Sequence, residues 1–236
     1  MMTLLVPPGV AGGVRQPLGE AEGHHLRVRR ATVGERVALR DGAGLVGTGR
    51  LAAAGREWAV DVESVERRPR PAELTLAVGA GDRDRFAWLV EKAVELGATS
   101  VVPLETERTG DVATRLRDAG LARLQRQALE AIKQCGAAWA LDVEAPQPLA
   151  EFIARMEPGL HWLADAAGAS PPATLDGTAV TVVIGPEGGF TEPERGMLLS
   201  AGYRRLALAP HTLRFETAAL AAAAVVTTAR LRGTHG

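Results

Sequence analysis

The sequence predicts an α/β protein: a small β-rich N-terminal region, then a larger region in which strand and helix patterns alternate. Three observations carry this. Short strand patterns between residues 37 and 65 surround Asp41-Gly42-Ala43-Gly44, a hairpin signal. Beyond a charged, proline-containing break at residues 66–71, apolar runs of strand length alternate with runs of helical period, the pattern of a mostly parallel sheet covered on both faces. The chain has 236 residues, 46% of them hydrophobic, enough to build one large domain or two modest ones.

Taken in order, Val37–Leu39 and Leu45-Val46 flank the hairpin turn, and Trp58–Val65 alternates as a half-buried strand does. A compact barrel is the economical arrangement, with the domain boundary in the break, so that residues 1–70 and 71–236 form the two parts. A literal G-x-G-x-x-G spans Gly42–Gly47, but strand-like alternation follows it where a dinucleotide site needs a helix; a hairpin explains it better. Leu74–Val78 reads as a strand, and Phe86, Leu89, Val90, Ala93 and Leu96 recur at helical spacing before Gly97, a C-terminal cap. Ser100–Leu104 is the next strand. Leu121, Leu124, Ala128, Ile132 and Cys135 mark the apolar face of a helix. Strands follow at Leu160–Ala164, Ala179–Ile184 and Arg205–Leu208, with helices at Leu149–Met156, Glu192–Ser200 and Glu216–Leu231.

Composition excludes some classes. The longest apolar run, Ala218–Val226, is far short of the ~20 residues that a bilayer requires. No basic segment followed by an apolar one opens the chain, so no secretory signal is expected, and a single cysteine, Cys135, fits a reducing cytoplasm. Five scattered histidines and one cysteine offer no metal-ligand spacing. Residues 1–71 hold 11 arginines against 8 acids, whereas the remainder holds 16 basic against 20 acidic residues. The N-terminal part is therefore the better candidate for touching phosphate.

Three stretches carry candidate chemistry. Ala179–Ile184 looks like a strand buried on both faces that runs into Gly185-Pro186-Glu187-Gly188-Gly189; Thr191 with Glu192-Pro193-Glu194 then opens a helix. A strand, a glycine loop and a helix start form a ligand cradle at the carboxyl end of a sheet. No G-x-x-x-x-G-K-[ST] is present, which argues against a phosphate loop. The second stretch, Leu206–Ala218, repeats the plan: a strand, a loop with Pro210, and a helix opened by Glu216-Thr217. Arg214 and Glu216 read either as a local ion pair capping that helix or as half of a divided ligand site. The third, His24-His25-Leu26-Arg27-Val28-Arg29-Arg30, reads either as a solvated strand edge or as a contact to an RNA backbone.

Ile184-Gly185-Pro186-Glu187-Gly188-Gly189-Phe190 followed by Leu208–Ala218 resembles the paired IGPEGG and LGPRxLRxETA signatures of RsmE-type methyltransferases of the SPOUT superfamily. Glu91–Gly97, Pro103–Arg108, Gln134-Cys135-Gly136 and, nearer the N-terminus, His24, Arg27, Val28, Arg30 and Asp41-Gly42 are similar to further motifs of that family. The chain departs from the pattern at Ala137, Ala209 and His211, where the family has arginine, glycine and arginine.

The resemblance implies a PUA-like β-barrel that binds RNA, followed by a SPOUT α/β domain with a C-terminal trefoil knot. It implies S-adenosylmethionine held by Leu163, Ile184, Gly185, Pro186, Glu187, Gly188, Gly189, Leu208, Leu213, Arg214, Thr217 and Ala218. A side chain at Gly188 or Gly189 is expected to fill ligand space, and positive φ is expected there. Methyl transfer to N3 of a uridine in 16S ribosomal RNA, in or out of the small subunit, is the implied reaction, with Arg214 and Glu216 as catalytic residues and His24, Arg27 and Arg30 on the RNA. A homodimer follows, and the alanine-rich last helix packs either between subunits or inside one. The alternative is a SPOUT-like RNA-binding or ribosome-assembly factor whose catalysis is lost or secondary.

Overall fold

The structure, a computed structural model, describes residues 1–55, 57–110 and 116–234. It divides into two compact units, Met1–Arg70 with Leu129–Ala140, and Pro71–Ala128 with Leu141–Gly236. The segment Leu129–Ala140 thus joins the first unit from well outside the 1–70 span.

The first unit is a five-stranded sheet built from β1 (Met2–Leu5), β2 (Arg15–Pro17), β3 (Arg36–Arg40), β4 (Leu45–Ala54) and β5 (Glu57–Arg67), in the order β1-β3-β4-β5-β2. β1 and β3 pair in parallel and the other pairs are antiparallel. The β3–β4 hairpin closes as expected. Asp41 Oδ1 accepts from the amides of Ala43 at 2.7 Å and Leu45 at 2.9 Å, while Gly42 and Gly44 take φ of 70° and 99°. Gly47 and Gly49 serve close strand pairing: a Cβ on either would stand 2.6 Å from a carbonyl oxygen of β5. The G-x-G-x-x-G is therefore a hairpin. Leu4, Val37, Leu39, Leu45, Leu51, Val60 and Val62 share one core with Leu18 and with Leu26 of α1 (Glu20–Val28), so the sheet wraps a single interior, as a small barrel does.

The segment His24–Arg30 is not a strand edge. His24–Val28 is the last part of α1, with Arg29 as its C-cap and Arg30 just beyond; the first turn carries Glu20 and Glu22 and the last turn His25 and Arg27, a charge order that suits the helix dipole. Sequence alternation around Leu26 and Val28 imitates a strand, but only Leu26 is buried; Val28 is exposed.

The second unit is a parallel sheet. Its strands are β6 (Leu74–Gly79), β7 (Ser100–Glu105), β8 (Asp142–Val143), β9 (Gln147–Pro148), β10 (Leu160–Ala169), β11 (Val180–Ile184) and β12 (Arg204–Leu206), in the order β12-β10-β11-β6-β7-β8, with β9 also on β7. Its helices are α2 (Arg83–Glu95), α3 (Ala119–Cys135, shared with the first unit), α4 (Leu149–Ala154), α5 (Glu192–Ser200) and α6 (Phe215–Gly233). The central strands β6 and β11 are buried nearly throughout, as strands covered on both faces are. Leu163, Val183, Phe190, Leu198 and Tyr203 form a core with Leu149 of α4. Cys135, expected on the apolar face of α3, is exposed at its end.

Alanines of α6 (Ala218, Ala219, Ala222, Ala223, Ala229) are buried, and the helix packs on α2, β6 and β11. That stripe is used inside the molecule. Small side chains let the backbones approach, and polar groups lock the seam: Thr227 Oγ1 donates to the Leu96 carbonyl at 2.7 Å, and Arg230 donates to the carbonyls of Ala72, Glu73 and Thr178 at 3.0, 2.7 and 2.8 Å. Leu175, in the connection from β10 to β11, donates its amide to the Ala229 carbonyl at 3.0 Å. The β10–β11 connection is thus pinned to the last turns of α6, the region where the resemblance implies a knot.

Candidate active site

A cavity of about 360 Å³ is lined by residues at and beyond the carboxyl ends of β11 and β12, by the second half of β10, and by the first turns of α5 and α6. This is where a parallel sheet binds ligands. Of the residues expected to hold a cofactor, Ile184, Gly185, Pro186, Glu187, Gly188, Gly189, Leu208, Leu213 and Ala218 line it. Leu163, Arg214 and Thr217 are not among the lining residues. Leu163 is fully buried in the core behind the wall, whereas Arg214 and Thr217 are exposed.

The glycine loop is held from outside the cavity. Arg85 Nη1 donates to Glu187 Oε1 at 2.8 Å, and Arg108 Nη1 donates to the Gly188 carbonyl at 2.5 Å. A Cβ on Gly188 would meet the Arg108 side chain at 3.1 Å, so this glycine, which lines the cavity, also makes room for an arginine. Gly189 takes the expected positive φ, 68°, which favours glycine, and a Cβ there would stand in open space at the cavity. The loop ends in the expected helix start. Thr191 and Glu194 form a reciprocal capping box, with Pro193 in the first turn.

Arg214 occupies the N-cap position of α6 without capping it, and its guanidinium has no partner among the described residues. Glu216, only 7% exposed, keeps Oε2 buried with no hydrogen-bond partner among the described residues. The local ion pair between the two is not formed. His24, Arg27 and Arg30 lie in or just beyond α1, in the first unit, and all three are exposed.

Phe190, Thr212 and Phe215, inside the two singled-out stretches but not expected as cofactor contacts, also line the cavity, and sequence reasoning passed over Ala164, Asp165, Ala166 and Arg195. Asp165 and Ala166 follow Ala164, where the β10–β12 register breaks and resumes at Ala169, a bulge that no sequence pattern marks. Arg195 sits in the first turns of α5 and binds Asp165, its Nη1 standing 2.9 Å from Oδ2.

Comparison with known proteins shows the family. Residues 68–227 match the RNA methyltransferase domain family, and residues 18–59 match the RNA methyltransferase PUA domain. The chain belongs to the RNA methyltransferase family. It is 30% identical to ribosomal RNA small subunit methyltransferase E of Synechocystis sp. over 89% of this chain and 71% of that protein. It is 28% identical to the enzyme of the same name from Aquifex aeolicus, over 89% of this chain and 92% of the relative. The crystal structure of ribosomal RNA small subunit methyltransferase E from Neisseria gonorrhoeae, bound to S-adenosyl methionine, superposes with a TM-score of 0.85 at 27% identity, covering 95% of each chain. The PUA-like and SPOUT α/β parts expected from the sequence are those of this fold.

Proposed function

We propose that the protein transfers a methyl group from S-adenosylmethionine to N3 of a specific uridine in 16S ribosomal RNA. The observation that carries this reading is that Ile184–Gly189 lines one cavity with Leu208, Ala209, His211, Thr212, Leu213, Phe215 and Ala218, which are distant from it in sequence. Its residues fit the cofactor: a volume of about 360 Å³ suits a small ligand, Ile184, Leu208 and Leu213 offer apolar walls, and the glycine loop offers backbone groups. Glu187 is a poor neighbour for phosphate and an acceptable one for a positively charged sulfur.

When bound, S-adenosylmethionine supplies a methyl group already activated by its sulfonium. The residues of this chain align the nucleophile and manage the N3 proton. Arg214, exposed and unpartnered among the described residues, stabilises the negative charge left on the ring as the proton departs. Glu216 orients the base or receives that proton. Its Oε2 is buried without a hydrogen-bond partner among the described residues, at a cost of ~1–3 kcal/mol, and like Arg214 the residue stands outside the cavity lining.

N3 lies on the pairing edge of uridine, so the target base must be unpaired or extruded. His24, Arg27 and Arg30 hold the surrounding RNA backbone. The reading extends to a homodimer acting in the cytoplasm. A ribosome-assembly factor without catalysis is the alternative, and it draws on His211, which lines the cavity where the resemblance has arginine.

Treating ribosomal RNA with the protein and labelled S-adenosylmethionine, then resolving the nucleosides by mass spectrometry, decides between them. Labelled 3-methyluridine is expected. Absence of label favours the assembly factor, and label on another base removes the N3 assignment. Arg214→Ala should lose most of kcat while keeping cofactor affinity.

A further inference from the structure

We propose that the Asp165–Arg195 pair is the subsite for the charged amino-acid tail of the cofactor, with Arg195 on its carboxylate and Asp165 on its ammonium. The inference rests on the methyl-transfer reading above. Both residues line the cavity, one from the bulged half of β10 and the other from α5. Arg195 Nη1 donates to Asp165 Oδ2 at 2.9 Å, and Arg205 Nε stands 3.6 Å from the same oxygen. Asp165 Oδ1 accepts from the Ala167 amide at 2.9 Å. These partners fix a carboxylate whose side chain is only 10% exposed.

The pair is held in place but not satisfied. Arg195 Nε is buried with no hydrogen-bond partner among the described residues. Glu192 lies 3.4 Å from it as an ion-pair neighbour, yet Glu192 is 89% exposed and competes weakly. A guanidinium carries five N–H donors, and a carboxylate about four acceptor positions, so both groups keep capacity for a ligand.

Their arrangement selects the ligand chemistry. A simple anion approaching Arg195 meets the Asp165 carboxylate, and a simple cation approaching Asp165 meets two arginines. An α-amino-acid group brings both charges at once and completes both partners. Arg205, which is not a lining residue, helps balance Asp165 so that Arg195 is not neutralised by it alone. The rest of the wall, apolar side chains and glycine backbone, is left for the nucleoside.

The test compares S-adenosylhomocysteine with 5′-methylthioadenosine, which shares the thioadenosine part and lacks the amino-acid tail, by calorimetric titration of the full chain. The wild-type protein should prefer S-adenosylhomocysteine. Arg195→Leu should weaken it by about ten- to a hundredfold, the worth of a charge-assisted hydrogen bond, and leave methylthioadenosine unchanged. Arg195→Lys keeps the charge without the fork and should retain part of the preference; Asp165→Asn should reduce it. If Arg195→Leu melts early, these two variants carry the comparison. An unchanged ratio of the two affinities in Arg195→Leu overturns the subsite, and so does an unchanged ratio accompanied by weaker RNA binding, which would give the arginine to phosphate. A wild-type protein that binds neither compound instead overturns the methyl-transfer reading.

Discussion

Gly79, at the end of β6, lies directly against Pro186: a Cβ on residue 79 would stand 2.4 Å from the proline nitrogen and 2.5 Å from its Cδ. Two residues later, a Cβ on Gly81 would stand 2.4 Å from the Phe215 ring. Gly79 and Gly81 thereby seat both halves of the cavity, the Pro186 loop and the first residue of α6.

Gly79→Ala must displace backbone, which yields less readily than a side chain. Overpacking of this kind costs about 1–3 kcal/mol. We expect a melting temperature lower by roughly 2–10 °C and S-adenosylmethionine affinity reduced about tenfold or more, because the displaced atoms belong to the cavity wall. Wild-type affinity in calorimetry would show that the loop adapts and that the close approach is incidental.

Glu194 is buried and fully used. Its Oε1 accepts from the Glu107 amide at 2.9 Å, and its Oε2 accepts from Thr191 N at 2.8 Å and Thr191 Oγ1 at 3.1 Å. Glu194→Ala strands two backbone amides and should cost roughly 2–4 kcal/mol, whereas Thr191→Ala loses only the cap, about 1 kcal/mol. Urea unfolding of both single variants and the double variant should be non-additive, since the two residues share bonds. Simple additivity would mean that the capping box contributes little.

These two sites also mark what the sequence can reveal. The capping box and the Asp41 hairpin were legible because their bonds join residues two to four positions apart, and local chemistry decides them. Strands β6, β7 and β11 were legible from apolar runs. The Gly79–Pro186 approach and the Asp165–Arg195 pair join residues far apart in sequence, so no periodicity marks them. Leu163 shows the converse: pattern places it in a strand beside the site, but only packing shows that its side chain points into the core. His24–Arg30 misleads because a short helix with one buried leucine looks like an alternating edge.

Tyr203, the chain's single tyrosine, is buried, its ring tilted at 59° to that of His161 with centroids 5.3 Å apart. Burial pushes its phenol from 10.0 up to about 12. The unfolded chain releases this proton near pH 10 while the folded one keeps it, so the contribution is intact below pH 10 and is lost as pH rises towards 12. The loss amounts to roughly 2–3 kcal/mol, and Tyr203→Phe should remove that slope from the alkaline stability profile. Tyrosinate absorbance reads the same group directly; a midpoint near 10 in the folded protein would contradict the burial argument.

Lys133, on α3, pairs with Glu22 of α1, both nearly buried, and with Glu130 at 2.9 Å. Glu22 Oε2 already lacks a hydrogen-bond partner among the described residues, so removing the ammonium leaves a buried charge uncompensated. Lys133→Met should cost roughly 3–5 kcal/mol, and adding Glu22→Leu should recover most of it. Chemical denaturation of the three variants checks this; a single variant as stable as the wild type would mean that water reaches Glu22.

Arg27 and Arg30 have no ion-pair partner among the described residues, and both are exposed at the end of α1. Arg30 adopts φ of 54°, a left-handed residue directly after the helix. Arginines that touch phosphate release condensed counterions when RNA binds, so each one adds to the salt dependence of affinity. Replacing both with alanine should weaken RNA binding uniformly across sequences and flatten the log–log salt slope by roughly 1.4–1.8, about 0.7–0.9 for each phosphate no longer neutralised. Cofactor affinity should stay the same, because neither residue lines the cavity. A weakened complex with an undiminished slope would mean that these arginines stabilise the first unit instead of touching RNA.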